Sequence, residues 1–73
     1  MASLVRQARI AAGLTIEQAA KRLGIPGGYL SEIETGKRQV SAARAEQIAN
    51  LYGVKREEIF SPSRFAIRKA DTA

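Results

Sequence analysis

The side chains best suited to chemistry in this sequence are cationic. Lys37, Arg38 and Arg44 lie close together, and the segment that holds them, residues 36–45, contains no acidic residue. Lysine and arginine bind phosphate groups, and arginine also forms paired hydrogen bonds with the edge of guanine. The segment therefore favours a polyanionic partner.

The composition gives little support to catalytic or metal chemistry. The chain contains no His and no Cys, which removes thiolate chemistry, disulfides, the usual zinc ligands and histidine-based acid–base catalysis. Among the seven Asp and Glu residues, Glu57 and Glu58 are more simply the solvated start of a helix. We therefore expect no enzyme activity, no catalytic residue, no metal, no cofactor and no small-molecule ligand.

The overall charge agrees with a polyanionic partner. Twelve Lys and Arg residues outnumber seven Asp and Glu residues, which gives a formal net charge of +5 over 73 residues. In so small a body this excess favours nucleic acid. Many small soluble domains are basic without binding nucleic acid, so the charge alone does not show whether this domain binds it.

The length and the hydrophobic pattern indicate a single domain. A chain of 73 residues is long enough for one domain at most. No apolar run approaches the roughly 18 residues of a membrane span, and the N-terminus lacks the apolar stretch of a signal peptide. We therefore expect a cytoplasmic protein that does not enter a membrane.

Hydrophobic periodicity and capping signals predict an all-α fold. Thr15 and Gln18 match a capping box, and Ser41 matches an N-cap. No segment alternates as a strand would. The five predicted helices are Ser3–Ala12, Ile16–Leu23, Pro26–Thr35, Ala42–Tyr52 and Lys55–Phe60.

The second and third predicted helices are spaced as in a helix-turn-helix unit, in which the second helix fits the major groove. Any small helical bundle contains such pairs, so the spacing alone is weak evidence. Further residues match at Gly13, Leu14, Thr15, Ala20, Leu23, Gly24, Ile25, Tyr29, Leu30, Ser31, Ile33, Glu34, Gly36 and Lys37. Together they resemble the Cro and phage-repressor family of helix-turn-helix domains, also called the xenobiotic response element (XRE) family, over residues 4–60.

The resemblance implies roles for individual residues. It makes Pro26–Thr35 the recognition helix, and it places residues 36–39 along the phosphate backbone and Thr15 near a phosphate. Arg9 and Glu34 fall where many members have an ion pair between the first helix and the end of the third; the alternative is that both are solvated and never meet. The candidate DNA contacts are Thr15, Gly27, Gly28, Tyr29, Glu32, Lys37, Arg38, Gln39 and Arg44.

The start of the recognition helix departs from the family pattern. Members usually carry Ser or Thr at Pro26, polar side chains at Gly27 and Gly28, and Gln at Ile16. Three interpretations compete. The bare backbone approaches DNA closely while nearby polar side chains supply contacts; or specificity rests on DNA shape and half-site spacing; or the domain no longer binds DNA and binds another protein.

The end of the chain supplies candidates for a subunit interface. A two-fold dimer places two recognition helices about 34 Å apart, in successive major grooves. We expect a DNA-binding domain at residues 1–60 and a tail at 61–73 that is either disordered or supports the dimer. The apolar candidates, which could instead close the core of one chain, are Val54, Ile59, Phe60, Phe65 and Ile67.

The sequence therefore predicts a sequence-specific DNA-binding transcriptional regulator. We expect a repressor that binds double-stranded DNA as a homodimer at a two-fold operator. The alternative is a protein-interaction module, of antitoxin or adaptor type, that keeps the fold with weak or no specific DNA binding.

Overall fold

The computed structural model describes residues 3–67 of the chain. These residues form five helices and no strand, and an isolated antiparallel bridge joins Phe60 to Ala66. The predicted all-α, five-helix fold is therefore confirmed. The helices are α1 (Leu4–Ala11), α2 (Ile16–Leu23), α3 (Gly27–Glu34), α4 (Ala42–Tyr52) and α5 (Arg56–Ile59).

Three of the helices begin at side-chain caps. The Ser3 hydroxyl accepts from the amide of Arg6 at 3.1 Å. Thr15 and Gln18 form the predicted capping box, with the hydroxyl and the side-chain amide oxygen each accepting from the other residue's backbone. The predicted N-cap at Ser41 is also present. Each cap satisfies an amide that the first helical turn leaves without an intrahelical partner.

The ends of α1, α3 and α5 lie one residue inside the predicted bounds. Ser3 and Pro26 have extended backbones and serve as N-caps, so the first helical residues are Leu4 and Gly27. Lys55 likewise precedes α5. The difference arises because a cap residue shows the sequence signal of a helix start without adopting helical dihedral angles.

The connection between α2 and α3 is a tight turn at Gly24. This residue has φ +73°, in the left-handed region that favours glycine. Its amide donates to the carbonyls of Ala20 and Lys21, and the amide of Ile25 donates to Ala20 at 3.0 Å. These bonds satisfy the last carbonyls of α2 and turn the chain directly into α3.

The core lies between the first four helices, in which α3 packs against α1 and α2, and α4 packs against the same two helices. Leu30 and Ile33 of α3 are fully buried, together with Val5 of α1 and Ile48 of α4. The small buried residues Ala19, Ala20, Ala45 and Ala49 allow close approach of the helix backbones. The buried face of α3 thus fixes which of its residues point outward.

Residues 61–67 continue the fold beyond the predicted domain boundary at residue 60. The amide of Ile67 donates to Ile59 at 3.0 Å, and the amide of Leu4 donates to Ile67 at 2.7 Å. Arg64 exchanges bonds with Val40: its Nε donates to the Val40 carbonyl, and its own carbonyl accepts from the Val40 amide. This part of the predicted tail is therefore joined to α1, α5 and the loop before α4, whereas residues 68–73 lie outside the described residues.

A buried ion pair joins α1 to the last turn of α3. Arg9 Nε lies 2.7 Å from Glu34 Oε2, and Nη2 donates to Oε1 at 3.3 Å. The Arg9 and Glu34 side chains are only 10% and 5% exposed. Arg9 Nη1 also donates to the Leu14 carbonyl at 2.9 Å. One guanidinium therefore holds α1, the loop before α2 and the end of α3.

We predict that Glu34→Ala lowers the free energy of unfolding by about 3 to 5 kcal/mol, because it leaves the Arg9 charge buried without its partner. Glu32→Ala is the matched control. Glu32, on the same helix, also pairs with an arginine, Arg38 of the loop after α3, but both side chains are 49% exposed, so its loss should cost less than about 1 kcal/mol. Urea denaturation compares the two, and equal losses would show that the buried pair does not hold α3.

A buried hydroxyl lies beside this pair. Within residues 3–67, Tyr52 Oη is buried and has no hydrogen-bond partner. Burial raises the pKa of Tyr52 from 10.0 to about 12. The negative charge of Glu34 adds to this increase, whereas the positive charge of Arg9 opposes it. The hydroxyl is therefore a cost to stability in its neutral form and a larger cost when ionised.

We predict that Tyr52→Phe raises the free energy of unfolding at pH 7 by about 1 kcal/mol, because it removes a buried polar group without a partner. In the wild type, the unfolded chain loses the tyrosine proton near pH 10 and the folded chain only near pH 12, so folding stability falls as pH rises between these values. The difference in the free energy of unfolding between Tyr52→Phe and wild type should therefore increase by about 1 kcal/mol from pH 9 to pH 11. Urea titrations at both pH values measure it, and a constant gap would contradict the raised pKa.

Candidate nucleic-acid interface

The outward face of α3 is defined by what its other face buries. Leu30, Ile33 and Glu34 are buried, whereas Gly28, Ser31, Glu32 and Thr35 are exposed and Tyr29 is half-buried. The exposed set includes Gly28 and Glu32, two of the four candidate contacts that the sequence placed on this helix, and the other two, Gly27 and Tyr29, are half-buried. α3 therefore presents its polar face to solvent, on the side opposite Leu30 and Ile33.

The first two residues of α3 are glycines and carry no side chains. Pro26 is the N-cap and makes no side-chain capping bond. A Cβ atom built on Gly27 or Gly28 would meet nothing within 4 Å, and neither residue has a positive φ. The fold of the chain therefore does not require glycine at these two positions, and the first amides of a helix have no intrahelical partner.

Tyr29, Glu32 and Arg38 form one cluster on this face. Arg38 Nε donates to Glu32 Oε1 at 2.9 Å, and Nη2 lies 2.8 Å from the same oxygen. The Arg38 guanidinium carbon lies 4.8 Å from the centre of the Tyr29 ring, within the range of a cation–π contact. We call these three residues the Tyr29–Arg38–Glu32 cluster.

The other residues of the loop after α3 differ in how much they are held. Lys37 is exposed, and its amide donates to the Glu32 carbonyl at 3.0 Å. The Gln39 side chain donates to the Ser63 carbonyl at 2.7 Å. The backbone of Lys37 is therefore held by a hydrogen bond while its side chain is exposed to solvent. The Gln39 side chain, by contrast, joins the loop to the C-terminal segment.

Arg44, a candidate DNA contact, makes hydrogen bonds within the chain that the sequence did not predict. It is half-buried, and its Nη1 donates to the Leu23 carbonyl at 3.0 Å and to Gln47 Oε1 at 2.7 Å. The Leu23 carbonyl lies at the C-terminal end of α2, where a cation is favourable. Arg44 therefore joins α4 to α2, and its charge is directed to that helix end. Its distance in sequence from Leu23 leaves no local signal for this contact.

Thr15 lies at the exposed N-terminus of α2, where its hydroxyl oxygen accepts from the Gln18 amide. The hydroxyl hydrogen of Thr15 remains available to an acceptor, because this bond uses only the oxygen. Thr15 and Gly28 therefore place exposed polar groups at the starts of both helices of the helix-turn-helix unit.

The candidate interface residues near the end of the chain divide into two groups. Ile59 and Phe60 are each only 3% exposed and belong to the core of the same chain, which is the alternative that the sequence left open for them. Val54 and Ile67 are half-buried, and Phe65 is exposed. Among residues 3–67, the most exposed large apolar residue is Ile10 of α1, at 57%, which the helical periodicity alone did not single out.

A helix-turn-helix made of α2, the Gly24 turn and α3 is thus present, and comparison with known proteins identifies its family. The family model described as a helix-turn-helix domain matches residues 1–59. The chain belongs to the helix-turn-helix domain family. Within the part of the chain that the structure describes, no helix is long and apolar enough to cross a bilayer, and no set of acidic side chains is arranged to hold a metal ion.

Two curated relatives come from two strains of Mycobacterium tuberculosis, and each is named an uncharacterized HTH-type transcriptional regulator. Each is 36% identical to the chain over 58 residues, which cover 80% of this chain and 41% of the relative. The chain thus spans less than half the length of the curated relatives that it matches. No solved structure matches it significantly.

We predict that Gly28→Ala stabilises the free domain by several tenths of a kcal/mol, because alanine fits the helical backbone there and restricts the unfolded chain. Gly24→Ala is the control. It places a Cβ on a residue with φ +73° and should cost about 1 kcal/mol. Thermal melts compare the two, and a loss of stability in Gly28→Ala would show that the first turn of α3 requires glycine in the free chain.

Proposed function

We propose that this chain is a sequence-specific DNA-binding transcriptional regulator in which α3 enters the major groove. One observation carries the proposal: within a helix-turn-helix family member, the outward face of α3 is polar, open at its N-terminus and followed directly by Lys37 and Arg38. The net charge of +5 supports a polyanionic partner. Because DNA is that partner, we place the protein in the cytoplasm.

The contacts divide by chemistry into two groups. Thr15, Lys37 and the first-turn amides of α3 suit phosphate oxygens, since these groups are donors or cations that require no particular base. Tyr29, Glu32 and Arg38 lie on the outward face of α3 and suit base edges. Affinity would then come largely from the first group and selectivity from the second.

We further propose a repressor of the Cro and phage-repressor type that binds a two-fold operator as a homodimer. The match of residues at the Gly24 turn and on the buried face of α3 supports the family subtype. One eight-residue helix contacts few base pairs, and a dimer doubles the number. Of the apolar candidates, Val54, Phe65 and Ile67 retain exposed surface for a subunit contact.

The experiment is selection of bound duplexes from a random pool at near-physiological salt. We predict enrichment of a two-fold motif with half-sites about one helical turn apart, and an affinity that falls steeply as salt rises because phosphate contacts release counterions. Size-exclusion chromatography with the selected duplex gives the stoichiometry. No enriched sequence would overturn the regulator, and a single unrepeated half-site bound by one chain would overturn the homodimer.

The glycine variants then separate the competing interpretations of the first turn of α3. If the bare backbone approaches DNA closely, Gly28→Ala weakens specific binding while stabilising the free domain. If DNA shape and half-site spacing supply the selectivity, Gly28→Ala leaves the affinity and the motif unchanged. If the domain binds only protein, neither wild type nor variant enriches a motif.

A further inference from the structure

We propose that Arg38 contacts guanine in the major groove, and that Glu32 and Tyr29 are positioning residues that hold its guanidinium in the orientation for this contact. The inference rests on the proposed function and names the base that the site selects. It assigns Glu32 a role through Arg38 rather than a base contact of its own.

The cluster brings a loop cation onto the outward face of α3. Arg38 lies beyond the end of α3, yet its guanidinium carbon is 4.8 Å from the centre of the Tyr29 ring, and Tyr29 is the third residue of the helix. Glu32 follows Tyr29 by three residues and therefore lies on the same side of α3. The charge is thus drawn back toward the helix end that enters the groove.

The contacts within the cluster use the face and one edge of the guanidinium. The Tyr29 ring covers a face, and Glu32 Oε1 lies 2.9 Å from Nε and 2.8 Å from Nη2. The outer edge of the guanidinium, formed by Nη1 and the second N–H of Nη2, makes no such contact with the described residues. This edge presents two parallel donors, which match the O6 and N7 acceptors of guanine.

The absence of side chains at Gly27 and Gly28 gives this edge access to the groove floor. A Cβ on either glycine would meet nothing within 4 Å, so the space around the first two residues of α3, next to Tyr29 in the chain, is open. The side chains of Arg38 and Glu32 are each 49% exposed, which leaves the pair accessible to a ligand. A guanidinium already held in place loses less conformational entropy on binding than a free one.

The opposite role for Glu32 is also testable. A carboxylate beside Arg38 could simply compete with DNA phosphates for the cation and weaken binding to every sequence. The geometry favours positioning, because Glu32 occupies the Nε edge and leaves the two-donor outer edge open. The two roles differ in whether Glu32 affects the choice of base.

The test compares the selected motif, and the affinity for matched duplexes with guanine or adenine at each motif position, across four proteins. These are wild type, Arg38→Lys, Glu32→Gln and Lys37→Ala. For wild type we expect one guanine per half-site that depends on the cluster. Arg38→Lys keeps the charge but loses the fork, so preference for this guanine should fall about 10-fold or more while the salt dependence stays close to wild type.

Glu32→Gln should raise the affinity for non-specific duplexes severalfold, because it removes a negative charge from the DNA-facing side, and should lower the guanine preference. A merely structural role would lower both. Lys37→Ala, the matched loop control, should weaken binding to all duplexes equally and leave the guanine preference intact. Thermal melts accompany each variant, and all should unfold close to wild type because the exchanged side chains are exposed.

Three results would overturn the inference while leaving the regulator in place. They are a wild-type motif without such a guanine, an Arg38→Lys motif identical to wild type, and a Glu32→Gln protein that binds all duplexes more tightly by one factor with the motif unchanged. Failure of the wild type to enrich any motif is a separate result, which removes the proposed function and this inference together.

Discussion

The orientation of α3 depends on the buried pair between Arg9 and Glu34. A helix of eight residues is not stable alone in water, so its position must come from tertiary contacts. Leu30 and Ile33 determine which face of α3 is buried, and the ion pair adds a directional contact at its last turn. The guanidinium of Arg9, bonded at once to Glu34 and to the Leu14 carbonyl, fixes the last turn of α3 against α1 and the loop before α2.

This arrangement gives α3 two dissimilar ends. From Leu30 onward the helix carries its buried residues and the ion pair, whereas its first two residues are glycines and its start has no side-chain cap. Glycine and a missing cap each destabilise a helix end. The contacts at the C-terminal end of α3 therefore compensate for a start without side chains or a cap. In the helix-turn-helix geometry, this start is the part of α3 closest to the DNA.

Local signals predicted the elements, and distant partners explain what the sequence could not predict. Thr15, Gln18 and Ser41 predict helix starts from the sequence because each caps an amide only three residues away. Arg44, by contrast, donates to a carbonyl twenty-one positions away, and backbone carbonyls have no residue-specific signal. The pair between Arg9 and Glu34 was reached through a family resemblance and not through spacing. The burial of Ile59 and Phe60 was undecided for a related reason, since a four-residue helix does not reveal whether its own chain or another covers it.

Net charge is a poor measure of this interface, because the structure uses several of its cations internally. Arg9 is buried against Glu34, Arg44 faces the end of α2, and Arg38 is paired with Glu32. Of the loop charges, Lys37 extends most freely into solvent. Cations that are paired within the chain contribute less general attraction for DNA, but their side chains are held in defined positions. Defined positions are what base discrimination requires, since a correct hydrogen bond contributes most when its donors need no reordering.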